Sequence, residues 1–199
     1  MRTNKMNYDF NDKKKWKCIG TGSERTCYLN KKDINQCFKV SEIKKSKQSK
    51  REIKYLSFLK KMNIPFTHLP ELYGIVKDDK YIGIIQEVIY DDNGSISLNM
   101  RNHMEKFSYD DSMQDKLLTC LDELKNYLIE YNIIPCDLVL SNILIQNTKH
   151  GWKAIIIDGF GTTEVIPYNN YIPFLGRKKI ARKWKRFMND KVTPYLIKI

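Results

Sequence analysis

The 199-residue chain is predicted to be α+β and two-lobed: an antiparallel-sheet N-lobe with one helix, then a small, mainly helical C-lobe. Three observations predict it. The first half carries short apolar runs separated by glycine and aspartate turns, with a single helical pattern among them. The second half opens on a long leucine-periodic stretch. Two further apolar runs, ending at Ile145 and Ile157, each hold oxygen-bearing side chains at one end. An apolar fraction of 42% with 12% aromatics excludes a mostly disordered chain. The formal net charge of +12 points to anionic partners such as nucleotide phosphates, nucleic acid, anionic lipid or an acidic protein, and says nothing about fold.

Five cysteines are scattered at 18, 27, 37, 120 and 136, with no C-x-x-C pair and no histidine at zinc spacing. That pattern argues for a reduced compartment, against a disulfide scaffold and against structural zinc. The stretch from Met1 to Lys17 is polar and lysine-rich, with no signal-like apolar centre. No window reaches the roughly 18 apolar residues of a membrane span. The expectation is a cytoplasmic protein.

In chain order, residues 1–15 are expected to be a basic, flexible lead-in, 16–90 the N-lobe and 91–199 the C-lobe. Trp16 to Leu29 has the pattern strand, glycine turn, strand, around Gly20-Thr21-Gly22-Ser23. Its glycines either supply positive φ to a hairpin or let backbone N–H groups approach an anion. A short strand follows, Asn35 to Val40, with Lys39 among apolar neighbours. Lysine is rarely buried unpaired, so Lys39 either faces solvent or has an anionic partner. After a polar link from Ser41 to Ser49, helical spacing over Arg51 to Met62 puts Glu52 on the same face as Leu56 and Leu59. A glutamate on a buried stripe calls for a cation, and Lys39 can supply it. Leu72 to Ile75 and Tyr81 to Val88 are expected to be strands joined by the turn at Lys77 to Lys80, with Tyr90 to Ser97 a linker.

Leu117, Leu121, Leu124, Leu128 and Tyr131 recur at three- and four-residue steps, which predicts a helix over Asp110 to Tyr131 with Ser108 or Asp110 as cap. Pro135 stops it. Asp137 and Asn142 then stand five residues apart before one apolar run, and Asp158-Gly159-Phe160-Gly161 ends the next. Oxygen ligands on short rigid strands suit a hard cation such as magnesium. Gly176 to Met188 is predicted to be a basic amphipathic helix with Ile180, Trp184 and Phe187 on one face. It is either a packed terminal helix with a solvated basic face or an anionic membrane-surface contact through 177–187.

The order glycine turn, strand lysine, helix glutamate, Asp-x-x-x-x-Asn and strand-terminal aspartate resembles the protein-kinase fold over Trp16 to Gly161. The resemblance implies a reduced kinase-like fold with ATP and Mg2+ as cofactors. It assigns Gly20, Thr21, Gly22, Ser23, Lys39, Glu52, Glu87 and Val88 to the nucleotide, Asp137 with Lys39 to catalysis, and Asn142 with Asp158 to the metal. More narrowly, Ile19 to Tyr28, the Asp137 to Asn142 loop, Ile157 to Gly161 and Arg177 to Trp184 resemble the YrbL family. These are small bacterial kinase-like proteins of the PhoP regulatory network.

The chain also departs from the kinase pattern. Pro135-Cys136 stands where His-Arg is usual, Val139 replaces a loop lysine, the third glycine of the phosphate turn is missing, and Gly159 intervenes before Phe160. The remainder after Gly161 is too short for a peptide-seating platform. The resemblance therefore implies phosphotransfer to a hydroxyl of a small, saccharide or lipid-headgroup acceptor. The alternatives are a pseudokinase acting as a nucleotide-binding or interaction module, and a basic nucleic-acid-binding protein.

Overall fold

The computed structural model describes residues 3–4, 9–12, 14–107, 110–160 and 173–197. Gly161 and Ser108, both named above, lie outside the described residues. The chain divides into two compact units, Met1–Pro65 with Pro70–Val88, and Phe66–Leu69 with Ile89–Ile199.

Among the described residues the first unit is a six-stranded sheet with one α-helix on it. Its strands are β1 (Thr3–Asn4), β2 (Trp16–Thr21), β3 (Thr26–Asn30), β4 (Asp33–Glu42), β5 (Leu72–Lys77) and β6 (Tyr81–Glu87), in the order β1-β5-β6-β4-β3-β2. All neighbours are antiparallel except β1 and β5. Side chains on β4 alternate between the faces, yet Cys37 through Ser41 are all buried, so both faces are covered. One face holds Phe38 and Val40 in a cluster with Phe10 and Val76, packed by Trp16, Tyr28, Tyr81 and Ile85. Phe10 belongs to the stretch expected to be a mobile lead-in; its ring stacks on Tyr28 at 4.7 Å and meets Tyr81 edge-on at 5.1 Å. Its charged neighbours Asp9, Lys14 and Lys15 stay exposed while the ring is buried, so covering the apolar sheet costs them no hydration.

The opposite face of β4 meets helix α1 (Lys47–Lys61), where Ser41 Oγ lies 2.6 Å from Ser49 Oγ. The helix begins earlier than the polar link suggested. Glu24 Oε1 accepts the backbone N–H of Gln48 at 2.7 Å and of Ser49 at 3.2 Å, satisfying donors that a helix N-terminus leaves open. Lys47 and Lys50 remain exposed.

The second unit combines helices with a three-stranded antiparallel sheet. Its elements are β7 (Leu98–Asn99), α2 (Met100–Lys106), α3 (Asp111–Glu130), β8 (Ile143–Thr148), β9 (Gly151–Ile156), α4 (Pro173–Phe187), a wide turn of π type (Met188–Val192) and α5 (Thr193–Leu196). The sheet order is β7-β8-β9. Asp110 caps α3, accepting the Met113 N–H at 2.8 Å. The leucine stripe Leu117, Leu121, Leu124 and Leu128 is fully buried. The Phe66–Leu69 segment joins this unit because His68 bonds β9 twice: its carbonyl accepts from Ile156 N–H at 3.0 Å, and its Nδ1 lies 2.8 Å from the Ala154 carbonyl. Ile180, Trp184 and Phe187 of α4 are buried as the spacing predicts. Among the described residues no helix is long and apolar enough to cross a membrane.

Candidate functional site

In the first unit the candidate residues lie on β2 and the turn after it, on β4, on α1 and at the end of β6. The turn after β2 closes through Gly22 N–H to the Arg25 carbonyl at 2.7 Å, and Gly20 through Ser23 are exposed. Neither Gly20 nor Gly22 is among the glycines with positive φ, and a Cβ on Gly20 would meet nothing within 4 Å. The hairpin itself therefore does not demand glycine at Gly20, which removes the first of the two explanations offered for it.

Lys39 on β4 is 4% exposed and Glu52 on α1 is 2% exposed; Lys39 Nζ donates to Glu52 Oε1 at 2.9 Å. Burial of both becomes tolerable because each charge is met by its opposite through a hydrogen bond. A second cation reaches the same carboxylate: the guanidinium of buried Arg25 bonds Glu52 Oε2. Arg25 occupies the place of the missing third glycine. Spacing alone missed it, although an arginine beside a turn of small residues, with a buried glutamate still able to accept, was the available signal. Glu24 and Arg25 together fasten the glycine turn to α1. At the end of β6, Glu87 N–H bonds the Glu71 carbonyl at 3.0 Å and Val88 N–H bonds the Asn35 carbonyl at 2.9 Å. Both amides are committed within the sheet, so contact with a ligand there falls to carbonyls or side chains.

In the second unit the loop after α3 and the turn after β9 lock together. Cys136 N–H donates to the Gly159 carbonyl at 2.6 Å, Ile157 N–H to the Asn142 carbonyl at 2.9 Å, and Asn142 Nδ2 to the Asp137 carbonyl at 3.2 Å. Asp158 Oδ1 accepts the Gly159 N–H at 2.5 Å. Gly159 has φ of +83°, and a Cβ there would stand 2.5 Å from the Asp137 carbonyl oxygen. The residue inserted before Phe160 thus has to be glycine: it turns left-handed and presses directly on the Asp137 backbone. The structure brings Asp137, Asn142 and Asp158 onto one interlocked pair of loops.

The donor set fits magnesium. With Nδ2 of Asn142 donating to a carbonyl, its Oδ1 is the acceptor left for a cation. Among the described residues no group of three or more His, Cys, Asp or Glu is placed to hold a metal. One carboxamide oxygen and one carboxylate suit magnesium, which keeps waters and shares substrate phosphates rather than filling an all-protein cage.

Lys183 of α4 also reaches this loop. The pattern treats it as part of a solvated basic face, but it is half-buried and its Nζ donates to the Cys136 carbonyl at 2.7 Å. Desolvation pushes its pKa down, against the opposing pull of Cys136 and Asp137. A cavity of about 610 Å³ lies alongside, between the Cys136–Val139 loop and α4.

A family profile described as "PhoP regulatory network protein YrbL" matches residues 12–192. Two curated proteins named YrbL, from Escherichia coli K12 and Shigella flexneri, are each 28% identical over 174 residues, which is 85% of this chain and 82% of theirs. Among solved structures, the chain is similar to the kinase domain of Mycobacterium tuberculosis PknI, with a TM-score of 0.50 and 11% identity over 74% of this chain. It is also similar to Rad53 in complex with AMP-PNP, with a TM-score of 0.53 and 18% identity over 82% of this chain. The chain spans 61% and 46% of those two chains respectively. At such identities the likeness is one of fold: an α+β kinase-like architecture with an antiparallel N-terminal sheet and helix.

Proposed function

The chain belongs to the YrbL family of PhoP regulatory network proteins, which shares the fold of protein kinase domains, and from that premise we propose that it transfers phosphate from ATP to a hydroxyl. The observation that carries this reading is the interlocked pair of loops, in which Asn142 bonds the Asp137 backbone and Gly159 packs against it. Asp137 accepts the proton of the incoming hydroxyl. The hydroxyl oxygen bonds to the γ-phosphorus, the bond from that phosphorus to the bridging oxygen breaks, and ADP leaves with the electron pair. Asn142 Oδ1 and the Asp158 carboxylate would hold magnesium, which would supply neutralisation of phosphate charge. In the first unit, Lys39, held by Glu52, is the cation that would pair with an anion such as a nucleotide phosphate, and the Gly20 to Ser23 turn is exposed. The Rad53 structure with AMP-PNP supports nucleotide as the ligand class.

Magnesium-dependent ADP release, measured on the full chain with a panel of hydroxyl acceptors, tests the reading. Asp137→Ala is expected to lower turnover by about 10²- to 10⁴-fold, the usual contribution of a positioned base. Equal rates in both proteins would remove Asp137 from the chemistry. A second reading, a pseudokinase that binds nucleotide without transfer, is favoured by Pro135-Cys136 and Val139. Its signature is a rise in Tm with ATP and magnesium, since ligand binding stabilises the folded state, with no turnover on any acceptor.

A further inference from the structure

The cavity beside Asp137 has a composition that nucleotide binding and metal binding leave unexplained. Its wall carries Asp137 and Val139 from the loop, Arg182, Lys183 and Arg186 from α4, and Lys191 from the turn that follows. Arg182 and Arg186 stand one helical turn apart on one stripe. Ile180, Trp184 and Phe187 anchor the same helix in the core, so the stripe is carried on a rigid support rather than a mobile tail. Lys183 is tied to the Cys136 carbonyl, which restores a cation beside a loop whose own lysine position is Val139. Four cationic side chains face two carboxylates, Asp137 and Asp190. The surplus is positive at the one place where the acceptor hydroxyl has to arrive.

We propose that this cavity is the acceptor subsite and takes a small hydroxyl-bearing phosphomonoester, with Arg182, Arg186 and Lys191 on its phosphate and Asp137 at its hydroxyl. The planar guanidinium groups match the paired oxygens of a phosphate, and charge-assisted bonds of this kind are about twice as strong as neutral ones. A volume of about 610 Å³ accommodates a sugar phosphate or a lipid headgroup and is far too small for a folded substrate. Asp190 supplies a hydrogen-bond acceptor for further hydroxyls. The proposal rests on the phosphotransfer reading for what happens to the hydroxyl, but the anion subsite stands or falls by binding alone.

The test is calorimetric titration of the full chain with a hexose 6-phosphate, and co-sedimentation with vesicles containing lysophosphatidic acid, which keeps a free hydroxyl beside its phosphate, both without nucleotide. The probes compare wild type with Arg186→Gln and with Arg177→Gln, an equal charge change at an exposed residue that does not line the cavity. Expected is binding of the hexose phosphate that weakens about tenfold or more in Arg186→Gln and is unchanged in Arg177→Gln. Vesicle binding with the same pattern, and no binding of the soluble ester, supports the subsite with a lipid headgroup as the source. Equal weakening in both variants, or no binding of either probe, overturns the subsite. Binding that persists in a protein with no turnover supports the subsite and overturns phosphotransfer. Turnover on phosphate-free acceptors with no binding of either probe overturns the subsite while phosphotransfer stands.

Discussion

Gly159 illustrates how one backbone position serves three neighbours, one through its side chain and two through their backbone. Its positive φ lets its own N–H reach Asp158 Oδ1 while its carbonyl accepts from Cys136, and the missing Cβ leaves room for the Asp137 carbonyl. Gly159→Ala adds a methyl carbon where a backbone oxygen stands 2.5 Å away and imposes φ strain as well. The expected cost is about 1–3 kcal/mol in urea unfolding. A reduced Tm response to ATP with magnesium is expected beside it, because Asp158 and Asn142 would be pushed off their present hydrogen bonds. An unchanged unfolding midpoint would show that the loop yields freely. In the sequence, Gly159 stood out only as a departure from the usual pattern; the reason for it is a contact with a residue 22 positions earlier.

At the level of elements, the glycine turn, β4 and α1 act as one assembly because a single carboxylate joins them. Glu52 compensates Lys39 from β4 and Arg25 from the turn, and all three are buried. Glu52→Gln leaves two buried cations facing a neutral amide, a loss expected to cost about 3–5 kcal/mol. Chemical denaturation measures it, and a cost below about 1 kcal/mol would mean that water reaches the triad. The Lys39–Glu52 half of the triad was legible, since two periodicities each left one charge in need of a partner. Arg25 was not, because a turn has no periodicity to assign its side chains a face, and its partner lies 27 residues away. Phe10 escaped for a related reason: lysines dominate the composition around it, while its burial depends on a sheet face assembled from later strands.

Across the whole molecule, stability is expected to depend on pH through His68 and His103. Desolvation lowers the pKa of both, so the folded chain favours neutral imidazoles. Above the ordinary histidine value of about 6.5 both states are neutral and the full stability is present. As pH falls below it, the unfolded chain binds protons that the folded chain resists, and stability declines until the depressed folded pKa values are passed. The urea midpoint is therefore expected to be lower at pH 5 than at pH 7.5. His103→Leu, which replaces a ring packed on Trp152 and Phe107, should flatten that slope. An unaltered slope would assign the dependence to other groups.

By itself the sequence determined the order of chemistry along the chain: glycine turn, strand lysine, helix glutamate, Asp137 with Asn142, then Asp158. It also determined which residues of α3 and α4 turn inward, because helical and strand periods are local and can be counted. Only the tertiary structure decided what each inward face meets. It set Arg25 on Glu52, Phe10 on the sheet face opposite α1 and Lys183 on a carbonyl 47 residues earlier, and it brought two arginines of α4 to the side of Asp137. The physical reason is that periodicity fixes which residues share a surface. Which surfaces then close on each other is settled by burial and charge compensation between segments far apart in the chain.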